Sequence, residues 1–183
     1  EGKSLINIIL AKTISDMGKK VLLVDADLRK PQIHIRLKLN NLKGLSNYLS
    51  DEGAKIEDYI TTIKDYPNWD VMTSGLRPPD PTRLLSSNRK REFINELKTN
   101  GKYDLVIFDT PPVLGLADAP LIAENTDGII LLVSLNKVDR DLPKLAFKRA
   151  LTSGSTVLGI VTNQIKKAKI NVNKKDGSAY GYE

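Results

Sequence analysis

Short, wholly apolar runs alternate along this chain with stretches that are apolar on one side only. Residues 21–24, VLLV, are four consecutive apolar positions that run into Asp25 and Asp27 and then into Arg29, Lys30 and Pro31. An apolar run this short predicts a strand buried on both faces, with the acids at its carboxyl end, where open parallel sheets place their ligands. Residues 103–112, YDLVIFDTPP, repeat the pattern and end in Asp109. Residues 128–135 and 156–162 predict two more buried strands, the second closed by Asn163. Trp69 to Thr73 alternates, with Trp69 and Val71 on one side and Met72 on the other.

The intervening segments carry helical spacing. Leu5 to Met17 is apolar almost all round at first and then along one side, which predicts a buried helix closed by Gly18. Short helices are expected within 31–39 and at 44–49, the latter with Leu45, Tyr48 and Leu49 inward, while 51–68 is polar and turn-rich. An amphipathic helix from Asn88 or Arg89 to Lys98 turns Phe93, Ile94 and Leu97 inward and leaves Arg89, Lys90 and Arg91 in water. Asp118, followed by Ala119 and Pro120, has the pattern of an N-cap. Asp139 or Asp141 opens a helix through Ala150. Gly75 to Pro81, with three prolines, excludes regular structure. Strand–helix alternation with continuous apolar strands predicts an α/β domain, doubly wound with a mainly parallel sheet, over 1–165. Residues 166–183 carry lysines and glycines without periodicity, which predicts a disordered basic tail.

Candidate chemistry gathers at the predicted carboxyl ends. Gly2-Lys3-Ser4 is the tail of a phosphate-binding loop, G-x-x-x-x-G-K-[ST], in which backbone N–H groups and the lysine surround phosphates and the hydroxyl reaches Mg²⁺. The helix that follows would add its positive end. Asp25 and Asp27, two apart, share one side of an extended backbone and suit a hydrated cation or a proton acceptor, although a strand ending in a polar turn has the same sequence. Asn163 fits a turn, and its amide also offers both a donor and an acceptor to a ligand. His34, the only histidine, lies among Arg36 and Lys38 and reads as a surface residue.

GKS, VLLVDADLRKP and LVIFDTPP, in this order, resemble the Walker A, Walker A′ and Walker B motifs of the bacterial tyrosine autokinases. Gly44-Leu45-Ser46, Tyr48-Leu49, Pro78 to Pro81 with Leu84-Leu85-Ser86, Val113 to Asp118 and Val157 to Asn163 extend the resemblance over nearly the whole chain. It implies a P-loop fold of the deviant-Walker, partitioning-ATPase-like kind and a protein-tyrosine kinase using ATP and Mg²⁺. Site residues follow by resemblance: Gly2, Lys3, Ser4, Leu5 and Asn163 for nucleotide, and Ser4, Asp27 and Asp109 for the metal. Lys3, Asp25 and Asp27 carry catalysis, Asp25 as acceptor of the tyrosine proton. Tyr180 and Tyr182 resemble the start of the family's autophosphorylated cluster. Also implied are ring-type homo-oligomers with trans-phosphorylation, a membrane-spanning activator, control of capsular or exopolysaccharide synthesis and export, and a cytoplasmic place at the inner face of the membrane. Arg83 departs from the family, which has a Glu there, and puts an oligomer contact in question.

Composition bounds the rest. The 183 residues are 40% hydrophobic, enough for one core, and the net charge of +6 is spread over predicted helices, so no nucleic-acid partner is expected. With no cysteine, disulfides and thiolate metal sites are excluded within the chain. No apolar run approaches the ~20 residues of a membrane span. A start inside the phosphate loop predicts a fragment lacking a preceding strand, weakened in stability and phosphate binding and inactive in isolation. Two other functions fit the same motifs: an ATP-gated dimeric switch of the partitioning or division-site type, and a non-catalytic nucleotide-binding regulatory module.

Overall fold

The computed structural model describes residues 2–135, 139 and 141–163. Every residue of β1 (Val21–Asp25) is buried. It lies in the middle of a sheet ordered β2-β3-β1-β4, parallel to β3 (Trp69–Met72) and to β4 (Leu105–Asp109). The two-residue β2 (Thr61–Thr62) adds antiparallel to β3. Because side chains alternate across a strand, β1 feeds two cores. Leu22 and Val24 pack with Met72 beneath α3 (Leu45–Ser50), α5 (Asn88–Thr99) and α6 (Asp118–Ala123) through Tyr48, Phe93 and Ile122. Val21 and Leu23 pack with Trp69 and Val71 beneath α1 (Lys3–Asp16) and α2 (Ile33–Leu37) through Ala11 and Ile33. Helices therefore cover both faces, as doubly wound α/β folds require.

A second sheet pairs β5 (Ile129–Ser134) in parallel with β6 (Val157–Asn163), and α7 (Leu142–Thr152) packs against both. No backbone ladder joins the two sheets among the described residues. Between the edges of β4 and β5 runs a groove of about 1140 Å³, lined by Ile6, Leu10, Leu105, Ile107, Leu132 and Val161, with Lys3 and Asp109 also on its wall. α1 is less buried than its composition predicts: Leu10, on the groove, is 37% exposed, Leu5 and Ile9, away from it, are 47% and 54% exposed, and only Ala11 and Ser15 are buried.

Other boundaries also shift. Pro81 opens α4 (Pro81–Leu85) at its first position, where a missing N–H costs nothing, so the irregular segment ends one residue early. Asp80 caps α4 by accepting from Arg83 N at 3.0 Å. Asp118 is the first residue of α6 and makes no cap bond, its carboxylate being engaged elsewhere. Lys90 is 2% exposed rather than solvated. Its Nζ donates to Leu121 O at 2.6 Å and Asn125 Oδ1 at 2.7 Å, and burial lowers its pKa. Arg89 lies over the Tyr48 ring at 4.5 Å. The predicted tail, with Tyr180 and Tyr182, lies outside the described residues.

Candidate active site

The carboxyl ends of β1 and β4 and the start of α1 meet at one place. Gly2 adopts φ 92°, a left-handed backbone suited to glycine, and turns the chain into α1, whose first turn no side chain caps. Uncapped amides at the positive end of a helix suit a phosphate. A Cβ at Gly2 would come within 2.9 Å of Asn163 Nδ2, so Asn163, at the end of β6, lies directly against the loop. Lys3 and Ser4 are half-buried in the first turn, and Leu5 is exposed.

In the ladder Asp25 pairs with Asp109, which places the two carboxylates side by side on neighbouring parallel strands. Asp109 is 1% exposed. Asn7 Nδ2 donates to its Oδ1 at 2.8 Å, while Oδ2 is buried without a hydrogen bond of good geometry. Burial raises its pKa; the Ser4 hydroxyl, Asn7 and the Lys3 ammonium oppose that rise. Asp25 is completely buried. Its Oδ2 accepts from Gln32 N at 3.2 Å and Ile33 N at 3.0 Å, so it caps α2 from a distance, and Oδ1 accepts only a long bond, 3.3 Å, from Asp27 N. Burial pushes Asp25 up to about 7, helped by the Asp109 charge and resisted by the three amides. Asp27 is half-buried, and its Oδ1 accepts from Arg29 N at 3.2 Å and Lys30 N at 2.9 Å.

β1 ends at Asp25, so the two carboxylates of the Asp25-Ala26-Asp27 stretch do not share one extended face: one is fully buried and holds the start of α2, and the other is half-buried and accepts from two amides of the turn that follows. The structure gathers Gly2, Lys3, Ser4, Asp27, Asp109 and Asn163 here, with Asp25 fully buried beside Asp109, and leaves Leu5 exposed on α1. Sequence reasoning missed Asn7 as the partner of Asp109. Its signal was a lone polar residue in an apolar run, one helical turn after Lys3. It also missed the partners of Arg29 described below.

No group of three or more His, Cys, Asp or Glu side chains able to hold a metal occurs among the described residues. A cation here would lean on the Ser4 hydroxyl, on phosphate oxygens and on its own waters, the usual habit of Mg²⁺. The unpartnered Oδ2 of Asp109 is an acceptor placed for such a water. No described helix is long and apolar enough to cross a membrane.

A family model described as an AAA domain matches residues 1–139. The tyrosine-protein kinase YwqD of Bacillus subtilis is 38% identical over 182 residues, covering 100% of this chain and 72% of that protein. A putative tyrosine-protein kinase in the cps region of Klebsiella pneumoniae is 38% identical over 93% of this chain, which spans only 23% of that longer protein. The kinase domain of the Escherichia coli tyrosine kinase ETK superposes with a TM-score of 0.84 at 30% identity, covering 100% of this chain and 67% of that one. A chain of the MinC:MinD cell division protein complex of Aquifex aeolicus, at 17% identity and a TM-score of 0.76, covering 90% of this chain and 64% of that one, shares the fold alone. A P-loop α/β fold in the expected motif order, a nucleotide-type site and relatives that are kinases over its full length place this chain in the bacterial tyrosine-protein kinases.

Proposed function

We propose that this chain transfers the γ-phosphoryl group of ATP, with Mg²⁺, to tyrosines of its own kind, Tyr180 and Tyr182 first among them. The observation that carries the reading is the convergence of Lys3 and Ser4 with three carboxylates of unequal environment at one sheet end. Phosphoryl transfer is mostly positioning and charge neutralisation, so no covalent nucleophile is required of the protein. The α1 amides and Lys3 hold the β and γ phosphates, and Asn163 faces the base. Mg²⁺, when bound, neutralises phosphate charge, with Ser4, Asp27 and Asp109 holding it directly or through its waters. Asp25 takes the proton from the tyrosine oxygen. A carboxylate titrating at about 7 is partly ionised at neutral pH, the condition a general base needs. Its Oδ1, tied by one long bond, is the oxygen with capacity to accept.

Around this chemistry we place ring-type homo-oligomers whose tails reach neighbouring sites, a membrane-spanning activator and a cytoplasmic position at the inner face of the membrane. The output is control of capsular or exopolysaccharide synthesis and export. The test is phosphotyrosine formation with ATP and Mg²⁺ in the native-length protein, with and without activator, beside Lys3→Met, Asp25→Asn and the pair Tyr180→Phe/Tyr182→Phe. Loss of phosphotyrosine in Lys3→Met and Asp25→Asn supports the kinase reading, and its loss in the double Phe variant places the acceptors in the tail. ATP hydrolysis without phosphotyrosine, even with activator, overturns the kinase reading in favour of an ATP-gated switch.

A further inference from the structure

Three side chains from distant stretches lock together beside the acids. Arg29 Nε donates to Asp118 Oδ2 at 2.6 Å, and its Nη2 donates to Asp118 Oδ1 at 3.2 Å and to Thr82 Oγ1 at 2.8 Å. Thr82 Oγ1 in turn donates to Asp118 Oδ1 at 3.1 Å. Asp118 is 0% exposed, and a carboxylate taken fully out of water is tolerated only when paired and hydrogen-bonded. The fork of the guanidinium supplies both conditions in one group.

The backbone of the same arginine grips Asp27. Arg29 N and Lys30 N both donate to Asp27 Oδ1, so the direction of these amides fixes the carboxylate. Leu28, 1% exposed in the core, fixes one side of this turn. Anchoring the Arg29 side chain on α6 through Asp118 and on the first turn of α4 through Thr82 fixes the other.

We propose that Arg29, clamped by Asp118 and Thr82, is a positioning residue that holds the Asp27 carboxylate toward the metal and phosphate side of the site. Its guanidinium faces the clamp and serves the reaction through Asp27. The clamp also joins the catalytic turn to the segment that follows the Pro78–Pro81 stretch, so a displacement of that segment reaches Asp27 by way of Thr82. The chemical consequence rests on the kinase reading; the effect on metal binding does not.

The experiment uses the native-length protein with Arg29→Lys, Arg29→Ala, Thr82→Val and Asp118→Asn, after circular dichroism shows which variants are folded. Fluorescent ADP binding is measured with EDTA and across a Mg²⁺ titration, beside the rate of phosphotyrosine formation. Supporting residues around a metal site typically cost 10–100-fold in metal affinity or activity when changed. The half-saturating Mg²⁺ concentration is expected to rise about tenfold or more in Arg29→Ala and Asp118→Asn, and kcat to fall by a similar factor with KM for ATP little changed. Affinity for ADP in EDTA should stay within about twofold, as for a residue acting only through the metal side. Guanidinium ion at millimolar concentration should restore part of the Arg29→Ala rate, and Arg29→Lys should behave like Arg29→Ala because an ammonium cannot span both partners.

Folded variants with unchanged Mg²⁺ requirement and rate overturn the proposal. So does an equal loss of ADP affinity with and without Mg²⁺, which would make Arg29 a nucleotide contact. Should Asp118→Asn fail to fold, Thr82→Val, which leaves the ion pair in place, and Arg29→Lys decide the matter. If the parent forms no phosphotyrosine the kinase reading fails, while the Mg²⁺ titration of ADP binding still decides for or against the clamp.

Discussion

Replacing Asp25 with Asn should make the protein more stable at alkaline pH. The ionised carboxylate is completely buried and titrates at about 7 in the folded chain, against an ordinary 3.8. A raised folded value in an acid means that the native state keeps its proton longer than the unfolded one. The group is neutral in its effect below pH ~4, costs stability progressively as pH rises toward 7, and stays costly above it. At 1.36 kcal/mol per pH unit the full cost is about 4 kcal/mol. Asn removes the charge but keeps one acceptor. Turned toward Gln32 and Ile33 it preserves the two shorter bonds and gives up the long one from Asp27 N, a loss of about 1 kcal/mol. Asp25→Asn should therefore gain about 1–3 kcal/mol at pH 8 and lose about 1 kcal/mol at pH 4. Urea unfolding with EDTA and no nucleotide, followed by fluorescence of the single, buried Trp69, measures both ends. A variant less stable than its parent at pH 8, or a difference that does not change between pH 4 and 8, would refute the reasoning. A gain in stability together with loss of phosphotyrosine would mark Asp25 as a group kept for chemistry at the expense of the fold.

Three further outcomes test the packing around the site. Lys90→Met keeps the apolar stem but leaves Leu121 O and Asn125 Oδ1 without their donor, and should lower stability by about 1–3 kcal/mol in urea unfolding. Gly44→Ala would put a Cβ 2.2 Å from Thr73 O and 2.3 Å from Gly75 N, so the start of α3 must separate from the end of β3, and the melting temperature should fall by several degrees, as ~1–2 kcal/mol does. Phe93→Ala empties a position that touches Tyr48 and Phe108, at centroid distances of 5.2 and 6.4 Å, and should cost about 3–5 kcal/mol, measurable as a lower denaturation midpoint with an unchanged slope.

The central strand was legible because burial on both faces leaves no polar position to confuse: Val21 to Val24 could hardly be placed anywhere but the middle of a sheet, whereas 128–135 and 156–162, also expected to be buried, leave Ile130 55% and Leu158 61% exposed. The helices of the outer layer were legible where Phe93, Ile94 and Leu97 recur at helical spacing. Long-range pairing escaped. Asp118 has a cap sequence, and only the fold brings Arg29, 89 positions away, close enough to claim its carboxylate. Lys90 stands among charged residues on a helix, and its burial depends on where the end of α6 falls. For Asp25, sequence located the acid, while the two hydrogen bonds it accepts from the start of α2 and its high pKa arise from a backbone path no local pattern encodes.

The proposed nucleotide site draws its residues from both sheets, on either side of the groove between β4 and β5. Lys3, Ser4, Asp27 and Asp109 belong to the four-stranded sheet and its helix, whereas Asn163 ends the two-stranded one. Edge amides that face the groove have no ladder partner among the described residues and should exchange with deuterium far sooner than those between β1 and β4. A nucleotide touching both Lys3 and Asn163 would act as a strap across the seam. Slower exchange along β5 and β6 on adding nucleotide would then report its occupancy.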